Sequence, residues 1–348
     1  MALCSAAFCL AQNPIITTSY TPDPAPYVHG DKLYMFVGHD EDDATYFKMN
    51  DWQLFSTEDM VNWTYLGTPI STETFAWAFH GDRAWASQAI ERNGKWYWYV
   101  CLNDADKKDV LAVAVADDPQ GPYVDAIGGP LAQGFSFIDP TVFIDDDGRA
   151  YLFWGNKGLW YGELNDDMIS FKNGYQEVPG FHDPACFGPQ SMKMNWAKGK
   201  EELMVGFEEG PWISKKNGMY YLTYPAGGVP EHMAYSTAPT VNGPWTYRGR
   251  IMDEAENAFT IHGERLSTRD ITICSIITEP FRTALVSTVR LLWRSSDTTL
   301  TEPSRSFRSL TRDRLLSAHL IRTAEWRQRP LLMHGDSRQT DLQARTIM

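Results

Sequence analysis

Phe137-Ile138-Asp139-Pro140-Thr141-Val142-Phe143-Ile144-Asp145-Asp146-Asp147-Gly148-Arg149-Ala150-Tyr151-Leu152-Phe153-Trp154-Gly155 decides how this chain is read. It runs as an acidic residue in an apolar frame, a strand, a tight acidic turn and a second strand. Asp147-Gly148 is a strong hairpin signal, because both residue types tolerate positive φ. The flanking residues are aromatic and β-branched, as strands prefer. Asp139 is the odd member, since a carboxylate between Phe137-Ile138 and Pro140 is costly to bury unless something pairs with it or uses it. Met alone, it reads as a turn or capping aspartate. Its recurrence elsewhere changes that reading.

Three other segments share the layout. The first opens with Asp23-Pro24 and continues through His29-Gly30-Asp31-Lys32 into Leu33–Val37, Trp52–Thr57 and Asn62–Tyr65. The second opens with Trp85-Ala86-Ser87-Gln88, turns at Asn93-Gly94, and follows with Trp96–Val100, Leu111–Ala116 and Gly121-Pro122-Tyr123. The fourth opens with Glu209-Gly210-Pro211-Trp212, turns at Asn217-Gly218, and follows with Met219–Tyr224, Met233–Thr237 and Gly243-Pro244-Trp245. Equivalent points recur roughly every 55 to 70 residues. Each unit is a strand, a hairpin, an aromatic strand, a third strand and a short outer strand, and helical periodicity is weak throughout. That is a four-stranded blade, and its repetition predicts an all-β propeller. The start of each innermost strand meets the axis, which places Asp23, Trp85, Asp139 and Glu209 around one point.

Composition fits this reading. The 348 residues include 13 Trp, 16 Tyr and 17 Phe, suited to strands and to surfaces that stack on sugars. A net charge of −13 argues against a nucleic-acid partner, which needs a basic footprint. No apolar run approaches the roughly 20 residues of a membrane span. Residues 1–11 are apolar and small-residue rich, and Cys9-Leu10-Ala11 before Gln12 has the form of a cleavage site without a basic n-region. They are read as a signal-peptide remnant, implying a secreted or periplasmic protein; a short buried strand is the alternative. Cys101, Cys186 and Cys274 are dispersed and form neither a metal-binding pattern nor a disulfide framework.

Three carboxylates and an aromatic around one pocket suit glycoside hydrolysis. An inverting mechanism needs a base that activates water and an acid for the leaving oxygen, roughly 6.5–9.5 Å apart. A third carboxylate raises the acid's pKa by like-charge repulsion, and Trp85 would stack on the sugar ring. On Asp23-Pro24, Trp85-Ala86, Ile138-Asp139-Pro140, and Glu209-Gly210-Pro211-Trp212 with Lys216-Asn217-Gly218, taken in order, residues 13–262 resemble glycoside hydrolase family 43. Members of that family are five-bladed propellers acting on arabinose- and xylose-containing polysaccharides. The resemblance implies Asp23 as general base, Asp139 as pKa modulator and orienter, and Glu209 as general acid. Ser87 stands where the family often has Pro, which leaves the sugar preference open.

The neighbouring Glu208 is expected to face the other way by period-two alternation. The resemblance puts His262 near the axis, bound to a metal shell, to water or near substrate; a plain structural histidine is the alternative. Trp154 and Trp77 join Trp85 and His262 as candidate substrate contacts, with ordinary packing the alternative for Trp77. No cofactor is required. A structural Ca2+ is compatible with the resemblance, although no clustered oxygen-ligand loop demands it. Asp145-Asp146-Asp147-Gly148 lacks the later bidentate Glu of a calcium loop and is read as a hairpin turn. Asp40-Glu41-Asp42-Asp43 is read as a solvated acidic loop. The expected partner is a plant polysaccharide or oligosaccharide. A non-catalytic carbohydrate-binding propeller is the alternative from another class, and a relative acting on fructans is a second.

The composition breaks after His262. Residues 1–262 hold 12 Lys and 5 Arg against 35 acidic residues, a net −18, with all 16 Tyr. Residues 263–348 hold 14 Arg, no Lys and no Tyr against 9 acidic residues, a net +5, with 22 Ser plus Thr. No aromatic strand pair or Asn-Gly turn marks a fifth blade there. One permitted set of codons for Ser267–Ala284, read two bases later, encodes Tyr-Lys-Gly-His-Asn-Tyr-Met-Phe-Tyr-His-Asn-Gly, a blade hairpin. The segment from 263 is therefore read as a frameshifted fifth blade, without strand patterning, that impairs the enzyme. A basic Arg/Ser/Thr-rich tail is the alternative.

Overall fold

The computed structural model describes residues 15–42, 44, 46–195, 200–204, 206–254, 260–268, 271–276 and 292–295. The signal-peptide reading of residues 1–11 lies outside them, as does most of the tail. Blade one is the antiparallel sheet β1 (Ala25–His29), β2 (Lys32–Asp40), β3 (Met49–Thr57) and β4 (Thr64–Ser71), in that spatial order. Blade two is β5 (Ser87–Arg92), β6 (Lys95–Asn103), β7 (Asp109–Ala116) and β8 (Val124–Asp125), with β9 (Ala132–Gln133) also on β7. Blade three is β10 (Thr141–Ile144), β11 (Ala150–Trp154), β12 (Trp160–Leu164) and β13 (Gln176–Glu177). A one-turn helix α1 (Pro184–Phe187) and a separate hairpin β14 (Ser191–Asn195) and β15 (Lys200–Met204) follow; the repeat gives no hint of them. Blade four is β16 (Trp212–Lys216), β17 (Met219–Ala226), β18 (His232–Ala238) and β19 (Thr246–Met252). The sequence and the fold agree on four blades of a β-propeller.

Period-two alternation explains why the blades stack. On β6, Trp96, Trp98, Val100 and Leu102 enter a core shared with blade one, including Phe36, Trp52 and Leu54. Tyr99 and Cys101, of opposite parity, enter a core shared with blade three, including Val142, Leu152 and Trp154. On β11, Tyr151 and Phe153 turn instead to blade four and pack with Leu222 and Tyr224. Each middle strand is thus apolar on both faces. Burying one such large ring contributes about 3 kcal/mol, so a blade without both neighbours leaves much of its stability unrealised.

The hairpins follow their turn residues. Asn93-Gly94 and Asn217-Gly218 both hold φ between 52° and 76° across the two central positions, the mirror-image turn that suits strand twist. Asp147-Gly148 behaves differently. Only Gly148 is left-handed, and the loop closes with Gly148 N–H on Asp145 O at 2.9 Å and Asp145 N–H on Arg149 O at 2.8 Å. The loop is longer than two residues because Asp145 is diverted to blade four, as described below.

After His262 the expectation of no strand patterning is corrected. β20 (Gly263–Thr268), β21 (Ile271–Ile276) and β22 (Leu292–Ser295) form a three-stranded antiparallel sheet. β20 lies against β1 on one side and β16 and β17 on the other, in the place of a fifth blade's innermost strand. The physical reason is visible in Ile271-Thr272-Ile273, whose β-branched residues favour a ladder, with Ile273 paired to Trp293 of β22.

Candidate active site

The first turn of each blade aims the acidic groups inward. Asp23 and Asp139 each stand two residues before their innermost strand in the left-handed region, with φ of 53° and 57°. Asx residues are among the few that accept this conformation. In blade four the equivalent residue is Gly210, with φ of 50°, so Glu209 sits one position earlier than the repeat predicts. That shift has a use. The Gly210 N–H is freed to donate to Asp139 Oδ2 at 3.0 Å. A Cβ at Gly210 would stand about 3.0 Å from the His262 ring, so glycine is required there for packing as well as for φ.

His262 gathers the carboxylates. Its Nδ1 is 3.0 Å from Asp23 Oδ1, and its Nε2 is 3.7 Å from Glu209 Oε1 and 3.9 Å from Asp139 Oδ2. Asn156, from the loop between β11 and β12, donates its amide to Glu209 Oε2 at 2.6 Å. Next to it, Lys157 pairs with Glu208 Oε1 at 3.2 Å, so Glu208 is engaged by a lysine while Glu209 meets the histidine.

Charge in this buried cluster is shared. Burial pushes Asp139 up to about 8, helped by the charges of Glu209 and Asp23, against the opposing pull of His262 and the Gly210 N–H. Burial acts on Glu209 in the same sense, but the nearby charge of His262, 3.7 Å away, with the Asn156 amide, outweighs it and holds Glu209 below the ordinary carboxylate range. Burial would lower His262; the charge and hydrogen bond of Asp23, then Glu209 and Asp139, raise it well above an ordinary histidine. These shifts favour an imidazolium among the three carboxylates, with Asp139 the one of the three that holds a proton most tightly.

The four proposed substrate contacts fare differently. His262 is at the centre. Trp85 stands two residues before β5, the point equivalent to Asp23, and is half-buried. Its indole N–H donates to Phe47 O at 2.8 Å, and the Arg83 guanidinium lies 4.4 Å over its ring. Trp77 donates to Asp125 Oδ2 at 2.7 Å, in the outer strand of blade two. Trp154 is a correction: it is fully buried, ringed by Phe137, Phe171 and Tyr175, and has no face for a sugar. It shares the parity of Leu152, which points to blade two. The repeat missed Asn156 and Glu231, because both come from loops between later strands, where it has no fixed motif.

Among the described residues, one group of three side chains could hold a metal ion, and its donors do not match a calcium shell. His39, Glu41 and Asp51 bring one ligand atom each within 4.8 Å of one another. However, His39 Nδ1 is bonded to Asp51 at 2.9 Å and Glu41 takes the Asn50 amide at 2.5 Å, where calcium would want six to eight oxygens.

Comparison with known proteins agrees with this geometry. The model of the family described as glycosyl hydrolases family 43 matches residues 11–267. A xylosidase/arabinosidase of Humicola insolens is 30% identical over 285 residues, 72% of this chain and 85% of its own. A xylosidase/arabinosidase of Bacteroides ovatus is 30% identical over 277 residues, 71% of this chain and 83% of its own. Among solved structures, a β-xylosidase/α-arabinofuranosidase from a compost microbial metagenome, with xylotriose and in a calcium-free form, superposes with a TM-score of 0.69 at 25% identity. The alignment covers 83% of this chain and 96% of that one. Repeat, ring of carboxylates and family match lead to one conclusion: the chain belongs to glycoside hydrolase family 43 and is a glycoside hydrolase of the xylosidase/arabinosidase type.

Proposed function

We propose that this enzyme removes α-L-arabinofuranosyl or β-D-xylosyl groups from plant hemicellulose with inversion, using Asp23 as base and Glu209 as acid. The observation behind this reading is that His262 touches all three carboxylates at once. Asp23 takes a proton from water as the water oxygen bonds to the anomeric carbon. Glu209 gives a proton to the departing oxygen as the glycosidic bond breaks. Because His262 and Asn156 favour the Glu209 carboxylate, Glu209 must be loaded before each turnover. His262 Nε2 lies between Glu209 and Asp139, which makes it the short route for that proton. Trp85, Trp77 and His262 are the proposed sugar contacts. The names of the relatives, and of a Xanthomonas citri enzyme of this family at 26% identity solved with xylose, support pentose substrates. A secreted or periplasmic location is part of this reading. No calcium step is needed.

The test is hydrolysis of nitrophenyl arabinofuranoside and xyloside, with the anomer released followed by NMR. Inverted product, and loss of about 10²–10⁴-fold on xylo-oligosaccharides in Glu209→Gln, is expected, with a much smaller loss on a dinitrophenyl glycoside whose leaving group needs no proton. Arabinoxylan binding with no sugar released would favour the binding-propeller reading instead. We further propose that the segment from 263 is a frameshifted fifth blade and that it lowers activity in this chain. The family match ending at residue 267, beside the compositional break, supports this.

A further inference from the structure

The loop between β17 and β18 brings a fourth buried carboxyl to the site, one that the chemistry above does not use. Glu231 is 1% exposed. Its Oε2 accepts the backbone N–H of Ile261 at 2.9 Å, and Ile261 immediately precedes His262. Its Oε1 is buried and has no hydrogen-bond partner. The titratable groups that face it are Glu209 and Glu208, from the segment before β16, and His262, from the segment before β20. His232 follows it in the chain. Burial, then the charge of Glu209, pushes Glu231 well above the ordinary carboxylate range, which favours its neutral acid form.

A cap for one backbone N–H needs one acceptor oxygen; the carboxyl's second oxygen is left unsatisfied in a dry place, a cost that the cap alone does not explain. We propose that Glu231 is a positioning residue for hydrolysis: its neutral form clamps the Ile261-His262 backbone so that the imidazole stays among the three carboxylates, and loss of its proton releases that clamp on the alkaline side. The ionised form would set a third negative charge against Glu208 and Glu209, with no donor for Oε1. The loop 227–231 would then have to open to hydrate it, and Ile261 would lose its acceptor. This inference rests on the catalytic reading above and adds to it a limit on the pH range.

The test compares the pH profiles of kcat and KM for the full chain, Glu231→Gln and Glu231→Ala, with ¹⁵N NMR of His262 and ¹³C-carboxyl NMR of residue 231. Glu231→Ala is expected to lose about 10-fold in kcat with KM within about 2-fold, and to shift the His262 titration. Glu231→Gln keeps the acceptor oxygen and cannot ionise, so it should recover most of that loss and move the alkaline limb up by about half a pH unit or more. The Glu231 carboxyl signal should be that of a protonated acid at pH 7. A Glu231→Gln profile that superposes on the parent's, or a Glu231 signal that titrates near pH 4, overturns the proposal. If Glu231→Ala does not fold, the Gln variant and the carboxyl signal still decide. Asp23→Asn and Glu209→Gln serve as controls. Full activity in those two would sink the acid/base reading, while the His262 signal would still report on the clamp.

Discussion

Asp139 shows how one residue serves catalysis at a cost to the fold. Its left-handed backbone costs of the order of 1 kcal/mol, and its carboxyl is buried among like charges. The sign of the resulting pH dependence follows from its position near 8 in the fold against about 3.9 in an unfolded chain. Between those values the folded protein binds a proton that the unfolded chain does not, so stability is fully present below about pH 4 and declines as pH rises towards about 8. Asp139→Asn removes this loss. Calorimetry should find it more heat-stable than the parent at pH 8 and not at pH 4, while kcat/KM falls about 100-fold or more. Equal melting temperatures at both pH values would show that Asp139 is ionised in the fold.

Elements were legible where one rule governs them. Asn93-Gly94 and Asn217-Gly218 fixed two hairpins, because few other residue pairs accept left-handed φ twice in succession. Asp23, Asp139 and Glu209 stood out in the sequence because each interrupts an apolar frame ahead of a blade hairpin. Trp154 was misread since an aromatic near an acidic motif is equally at home in a blade interface, and strand parity decides which. Asn156, Gly210 and Glu231 act through loops and backbone that no local pattern marks. Asp145 was read as a turn residue, yet its side chain is buried and bonded to Lys215 and Tyr220, tying the blade-three hairpin to blade four. These contacts, Lys215 before Tyr220, outweigh burial and hold it below the ordinary range. Lys215→Met leaves a buried carboxylate with only Tyr220 and the Asp146 N–H, and should cost about 3 kcal/mol in urea unfolding at pH 7. The deficit should shrink as pH falls and Asp145 takes a proton. A cost under about 0.5 kcal/mol would mean the pair behaves as an exposed one.

At the scale of the molecule, a propeller stands or falls on closure, since every blade needs a neighbour on both faces. β20 meets this need at the axis, between β1 and β16, and there it also brings His262 to the carboxylates. Further out, among the described residues, β21 and β22 complete three strands where the other blades have four or more. Under the frameshift proposed above, residues 267–284 would instead read as a Tyr- and Phe-bearing segment, aromatic as Trp96–Val100 is in blade two. Restoring that frame should therefore raise the melting temperature, because an aromatic middle strand would bury more apolar surface. It should also raise kcat, because Glu231, Ile261 and His262 sit at the joint between blades four and five. Measured side by side, the two chains separate the possibilities. Higher stability and activity in the restored chain would make the tail a damaged blade. Equal values in both would mean that three strands are enough to close this ring, and that the basic segment belongs to the protein as it stands.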